Sequence, residues 1–173
     1  MVAVGIDPSL KGTGICWGDY TTDTLSFRGR KGDPRGDERM AFIRKTLNAL
    51  YEAIHPNIVC IESVPPYTRG AAALGLAHGV VREVTAAHGI ELVMASPSAI
   101  KKFATGSGRS GKEEMLLAMR TLNVVPNEVW MHWDDNAVDA WWLRQIALAY
   151  KFRPNHGFAG YDVRAVLEFP SKA

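Results

Sequence analysis

Residues 58–61, Ile-Val-Cys-Ile, make an unbroken apolar run that closes on Glu62. With no polar face to turn toward water, such a strand needs cover on both sides, which points to a parallel sheet between helices. The neighbouring segments supply that cover. Residues 37–55 place Met40, Ile43, Leu47, Leu50 and Ile54 at helical spacing and stop at His55-Pro56, since proline cannot continue a helix. Residues 71–88 read as a second helix with small side chains along it, ending at Gly89, and "IELVMAS" reads as a further strand.

The N-terminal part has a different rhythm. "VAVGIDPS", "GTGICWGDY" and "TLSFRGR" are three short strand-like runs punctuated by Gly and Asp, the pattern of an antiparallel meander. Three hairpin-linked strands followed by strand–helix alternation predict an α/β fold with a mixed five-stranded sheet flanked by helices. After the fifth strand come a Pro-started basic segment, a glycine-rich loop through "GSGRSG", a helix from Lys112 and a last helix over 135–150. The 173 residues show no internal repeat and are expected to form one domain, 1–173. Residues 153–173 stay unassigned apart from a short strand around Val163–Phe169.

Composition excludes some classes. No apolar run approaches the ~20 residues of a membrane span, and "MVAVGIDPSL" begins as a strand rather than a secretory leader. Cys16 and Cys60 fall in separate strands with no CxxC pair, which suggests reduced core thiols and a cytoplasmic setting. The net charge of +2 says little, but its distribution says more. Cations crowd residues 28–45, and Lys101, Lys102, Arg109 and Lys112 follow with almost no acid among them. Such clusters suit a phosphate backbone; a solvated face is the equal alternative for the first.

The acids need partners. Asp7 closes the first strand, Glu62 the fourth, and "DDNAVDAWW" sets Asp134, Asp135 and Asp139 at the mouth of an apolar helix. Helical positions i and i+4 share a face, which pairs Asp135 with Asp139, while Asp134 suits the N-cap. Asp7 before Pro8 would also start a turn, and Glu62 would also serve as a solvated strand end. Asp139 is harder to place, because its neighbours are Ala137, Val138, Ala140, Trp141 and Trp142, with no cation before Arg144. Carboxylates gathered in apolar surroundings are unfavourable alone and expected around hard divalent ions. Two Mg²⁺ ions held in this way stabilise the attacking and leaving oxygens of phosphodiester cleavage.

In order along residues 2–148, "GIDPSLKGTGICW", "IVCIESV", "LGLAHGVV", "SPSAIKKFATGSGRSGK" and "DDNAVDAWWL" resemble the RuvC-type Holliday junction resolvases, especially bacteriophage-like members. The resemblance implies an RNase H-like fold, a homodimer and Mg²⁺-dependent paired nicking of four-way junctions to 5′-phosphate products, with Mn²⁺ able to substitute. It makes Asp7, Glu62, Asp135 and Asp139 the ligands of two metal ions. Many members place the last two ligands three residues apart, a position filled here by Asn136, so Asp134 and Asp135 both stay candidates.

By the same resemblance Lys112 is a catalytic lysine near the scissile phosphate, and Lys101 and Lys102 lie near it. Arg109 belongs to the same DNA-binding cluster. Tyr67 and Arg69 of "VPPYTRG" match a junction-contacting loop, Tyr67 stacking on a base and Arg69 meeting a phosphate. The small residues of "LGLAHG" would let a second copy pack closely. His78 and His88 read as surface or helix-end groups, His132 as structural, and Trp141 and Trp142 as core. The alternatives are a nuclease acting broadly on flaps and other branched DNA, and a non-catalytic junction-binding protein of the same fold. An actin-like ATPase also opens with a strand meander and an early Asp. Its phosphate loop reads D-x-G where this chain has Asp7-Pro8-Ser9, and 173 residues are too few for its two domains.

Overall fold

The computed structural model describes residues 1–9, 12–26, 36–64, 71–122, 125–152 and 167–168. The meander forms as β1 (Ala3–Asp7), β2 (Thr13–Cys16) and β3 (Thr22–Leu25), each antiparallel to the next. Then follow α1 (Asp37–Ile54), β4 (Ile58–Glu62), α2 (Ala71–Ala87) and β5 (Glu91–Ala95). The apolar strand β4 lies between β1 and β5, parallel to both. The five expected strands take the order β3-β2-β1-β4-β5, and a two-residue β6 (Leu167–Glu168) adds antiparallel to β5 inside the short strand expected near the C-terminus.

The two faces of the sheet differ in side-chain size. On one, Val4, Ile6, Ile15, Val59 and Ile61 pack against Ile43, Leu47 and Tyr51 of α1 and Val81 and Val84 of α2. The Tyr51 and Thr85 hydroxyls share a hydrogen bond of 3.2 Å, and Arg44 pairs with Glu83 at 2.6 Å along the exposed seam. That pair accounts for Arg44 of the 28–45 cluster; Arg28, Arg30, Lys31 and Arg35 lie outside the described residues. His78, expected at the surface, is buried instead, because it stands three residues before Val81 on the inward face of α2. Burial, helped by the Arg82 charge, lowers its pKa to about 4. His88 keeps to the helix end, 2.9 Å from Asn48 Oδ1.

The opposite face carries more small residues, with Ala3, Cys16, Cys60 and Ala95 buried on it beside Ile58 and Val93. It receives α6 (Asp135–Phe152). A Cβ added to Gly5 would lie 2.0 Å from the Ala140 carbonyl oxygen and 2.3 Å from the Arg144 nitrogen. One added to Gly14 would lie 2.1 Å from the Asn136 carbonyl oxygen. Helix backbone therefore rests directly on strand backbone, an approach only glycine permits. Trp141 and Trp142 are buried core residues as expected, with ring centroids 4.8 Å apart. Their indole N–H groups donate to the Asp19 and Met115 carbonyls at 3.2 and 3.3 Å. Buried Arg144 donates from Nε to the Ala3 carbonyl at 3.2 Å and pairs with Asp19 at 3.0 Å, pinning the helix to the start of β1.

Asn136 sits over Gly14, the partner of Asp7, while Arg144 reaches Ala3, so α6 runs antiparallel to β1. Its N-terminus stands where β1 and β4 stop. Around it lie α3 (Pro97–Thr105), α4 (Lys112–Thr121) and the short α5 (Asn127–Trp130). The basic segment expected after β5 is the helix α3, with Pro97 in its first turn and Ser96 Oγ accepting from the Ala99 N–H at 3.2 Å. Cys16 and Cys60 are free and buried, and among the described residues no helix is long and apolar enough to cross a membrane.

Candidate active site

β1 and β4 are parallel, with Ile6 opposite Ile61, so Asp7 and Glu62 end the two strands side by side. Strand alternation puts Asp7 on the face of Gly5 and Glu62 on the face of Cys60, the face that carries α6. Asp139, in the second turn of α6, is delivered onto them because Gly5 and Gly14 let the helix down. Burial raises the pKa of all three acids. Glu62 is pushed up to about 8 by desolvation and by the Asp7 charge; Asp139 is pushed up to about 6 by the same two causes. Glu62 is hydrogen-bonded to Asp7, which holds the Asp7 rise in check while adding to that of Glu62.

Two ammonium groups face this cluster. Lys112 opens α4, and its Nζ donates to Asp135 Oδ2 at 2.5 Å. That bond, with the attraction of Asp135, Asp139 and Asp7, raises the lysine pKa. Lys101 on α3 is close enough to lower the pKa of Glu62 and Asp139. The glycine-rich loop between α3 and α4 is held by its own hydroxyls. Thr105 and Ser110 share a bond of 2.7 Å, and the Ser107 N–H donates to Thr105 Oγ1 at 3.2 Å. Arg109 is exposed on that loop, and Lys102 lies in the last turn of α3.

At the start of α6, Asp134 is the N-cap expected from its position. Its Oδ1 accepts from the Ala137 N–H at 2.9 Å and from the Thr24 hydroxyl at 2.7 Å. Asp135 is exposed, tied to Lys112, and near enough to Asp139 to raise its pKa. Asn136 turns its amide toward Asp134 Oδ2, at 3.5 Å. His132 is exposed. Tyr67 and Arg69 lie outside the described residues.

The structure thus gathers Asp7, Glu62 and Asp139, places Asp135 and Lys112 at their rim, and brings Lys101 within electrostatic reach. Among the described residues no three His, Cys, Asp or Glu side chains are arranged so as to hold a metal ion as they stand. The donor set still fits a hard divalent cation by charge and chemistry, being carboxylate oxygen throughout and short of positive charge. Sequence reasoning missed the glycine seat under α6 and the Thr24 bond to Asp134. The seat has a signal, since the smallest residues recur with strand period at Ala3, Gly5, Gly14 and Cys16.

A pH dependence follows. Glu62 and Asp139 bind protons more tightly folded than unfolded, where carboxyls titrate at roughly 4. The stability this adds is complete below that value and is lost as pH rises through about 6 and about 8. His78, with its lowered pKa, acts in the opposite sense but only below its unfolded value of roughly 6.5. The metal-free protein should therefore melt at a lower temperature at about pH 8.5 than at about pH 6.5, and a divalent cation should restore the loss. Thermal unfolding in chelator, with Glu62→Gln to flatten the trend, checks this. A melting temperature that climbs over that interval contradicts it.

Comparison with known proteins gives the family. The family model for crossover junction endodeoxyribonuclease RuvC matches residues 3–140. The RuvC of Rickettsia typhi is 30% identical over 129 residues, spanning 70% of this chain and 82% of the relative. That of an Anaeromyxobacter species is 33% identical over 128 residues, spanning 70% and 69%. In fold, Thermus thermophilus RuvC, solved in complex with a Holliday junction substrate, superposes with a TM-score of 0.65 at 24% identity over 83% of this chain and 90% of that one. The yeast mitochondrial Holliday junction resolvase superposes at 0.52 with 12% identity, over 86% and 82%. With its RNase H-like sheet, its carboxylates at the ends of β1 and β4, and this match across most of its length, the chain belongs to the RuvC family of crossover junction endodeoxyribonucleases.

Proposed function

We propose that the chain is a structure-selective DNA endonuclease that resolves four-way junctions by paired phosphodiester hydrolysis, leaving 5′-phosphates and 3′-hydroxyls. The observation that carries this reading is the meeting of Asp7, Glu62 and Asp139 in a partly desolvated cluster whose pKa values are all raised. Asp7, Glu62, Asp135 and Asp139 would hold two Mg²⁺ ions, or Mn²⁺ in their place. When bound, such ions supply Lewis acidity to a phosphodiester.

The remaining steps belong to the chain. Lys112, held toward the acids by Asp135, meets the scissile phosphate and stabilises the charge that builds on it. Lys101 approaches from α3, and Lys102 and Arg109 hold flanking phosphates. Tyr67 and Arg69 keep their proposed role at the branch point. No covalent enzyme intermediate is required. The buried thiols are not nucleophiles, since burial pushes Cys16 up to about 12 and Cys60 higher still.

A four-way junction has two-fold symmetry, so a homodimer presents one site to each of two opposed strands. The surface of α2 suits a second copy, because Gly75 and Gly79 face open space one turn apart and Leu76 is 50% exposed beside them. A DNA partner, a second protomer and a cytoplasmic setting complete the proposal. A panel of labelled four-way junction, flap, fork and linear duplex tests it. Symmetric nicks concentrated on the four-way junction are expected, and equal cleavage of flap or fork would shift the assignment to a broader branched-DNA nuclease.

A further inference from the structure

The acidic cluster opens on one side into a groove of about 270 Å³ that the reading above leaves unused. Its walls come from Met115 and Leu116 of α4, Trp130 and Met131 at α5, and Trp133 and Val138 about the start of α6. Asp135 and Asp139 form one end of it, and Lys112, Glu113 and Arg120 stand on its border. Trp130 is fixed in place, since its Nε1–H donates to Asn127 Oδ1 at 3.0 Å and the Arg120 guanidinium lies 3.9 Å over its ring centre. Trp141 and Trp142 are spent on the core, whereas Trp130 and Trp133 are only half-buried and Met131 is 67% exposed.

We propose that this groove is a base subsite, receiving an unstacked nucleobase from a nucleotide beside the scissile phosphate. The inference rests on the DNA-cleaving reading and adds a determinant of specificity to it. A scissile phosphate met by Lys112, at the Asp139 end of the groove, leaves its neighbouring nucleoside one sugar away, at the mouth of the groove. Aromatic and thioether walls suit the face of a base, and the two border cations suit the phosphates on either side of it. The volume, near the lower limit of about 300 Å³ for small-molecule pockets, suits one base rather than a length of chain. Apolar walls discriminate by stacking area instead of hydrogen bonding, so a purine is preferred over a pyrimidine at this position.

The test uses four-way junctions in which each nucleotide within two of the mapped cut is replaced in turn by an abasic residue. Wild-type protein should show one position where base removal slows cleavage by roughly tenfold or more, with a pyrimidine intermediate. Trp133→Ala should slow cleavage of the intact junction by a similar factor and have little further effect on that abasic junction, because base and wall act as one unit. Met131→Asp, at an exposed position, gives the same comparison should Trp133→Ala fail to fold. Wild type that cuts every abasic junction at the intact rate overturns the subsite and leaves the resolvase reading standing. Variants that slow intact and abasic junctions alike overturn it too, and wild type that cuts no junction overturns both.

Discussion

Alanine in place of Gly5 is expected to destabilise the protein by at least about 3 kcal/mol, at or beyond the upper end for overpacked cores. In a chain of this length that lowers the melting temperature by roughly 10 °C. The methyl group would sit 2.0 Å from the Ala140 oxygen and 2.3 Å from the Arg144 nitrogen, and both are backbone atoms of one helix. No side chain can rotate aside, so α6 has to lift from β1. That would strain the Arg144 bond to Ala3 and carry Asp139 away from Asp7, so cleavage should fall with stability. Gly111→Ala is the control. Gly111 has an ordinary φ of −84°, and the new carbon would meet only Glu114 Oε2, at 3.9 Å. As a glycine-to-alanine change at an N-cap it should cost less than about 1 kcal/mol. Circular-dichroism melts of the two variants beside wild type decide the matter, and equal melting temperatures would refute the backbone-contact account.

Asn at Asp139 and Gln at Glu62 should each reduce cleavage by at least about 10³-fold, because losing one carboxylate of a shared metal set removes several kcal/mol of transition-state stabilisation at 1.36 kcal/mol per tenfold. The same changes should raise the melting temperature of the metal-free protein at about pH 8.5 by several degrees. Each replaces a partly desolvated, mutually repelling carboxylate by a neutral group of the same shape. Asp135→Asn should separate the two effects. Asp135 is exposed and paired with Lys112, so its removal should weaken cleavage and leave metal-free stability nearly unchanged. Acids serving only the fold would lose stability and activity together. Single-turnover rates and thermal melts on the same preparations read both quantities.

Much of this arrangement is legible from residues alone, for identifiable reasons. The β4 run Ile58–Ile61 announces a strand covered on both faces, and the Met40 to Ile54 periodicity announces α1, because burial imposes those periods directly. Asp134 as a cap and Asp135 with Asp139 as a facing pair follow from helix geometry. Other features do not follow. His78 looks like a polar helix residue until α2 is rotated onto the sheet and its inward face is known. The short α5 is below the length at which periodicity speaks, and the groove beside it exists only once α4, α5 and α6 have met. Gly5 and Gly14 leave in sequence only the strand-period recurrence of small residues with Ala3 and Cys16, which does not say what rests on them. Their necessity is set by α6, more than a hundred residues further along the chain.

The most direct test of the central claim is cleavage of an end-labelled synthetic four-way junction in Mg²⁺ by wild type and by Asp139→Asn, with junction binding measured in parallel. The account predicts symmetric paired nicks from wild type, none in chelator, none from the variant, and junction binding retained by both. Tight binding without cleavage by wild type in either Mg²⁺ or Mn²⁺, or cleavage undiminished in Asp139→Asn, would contradict it.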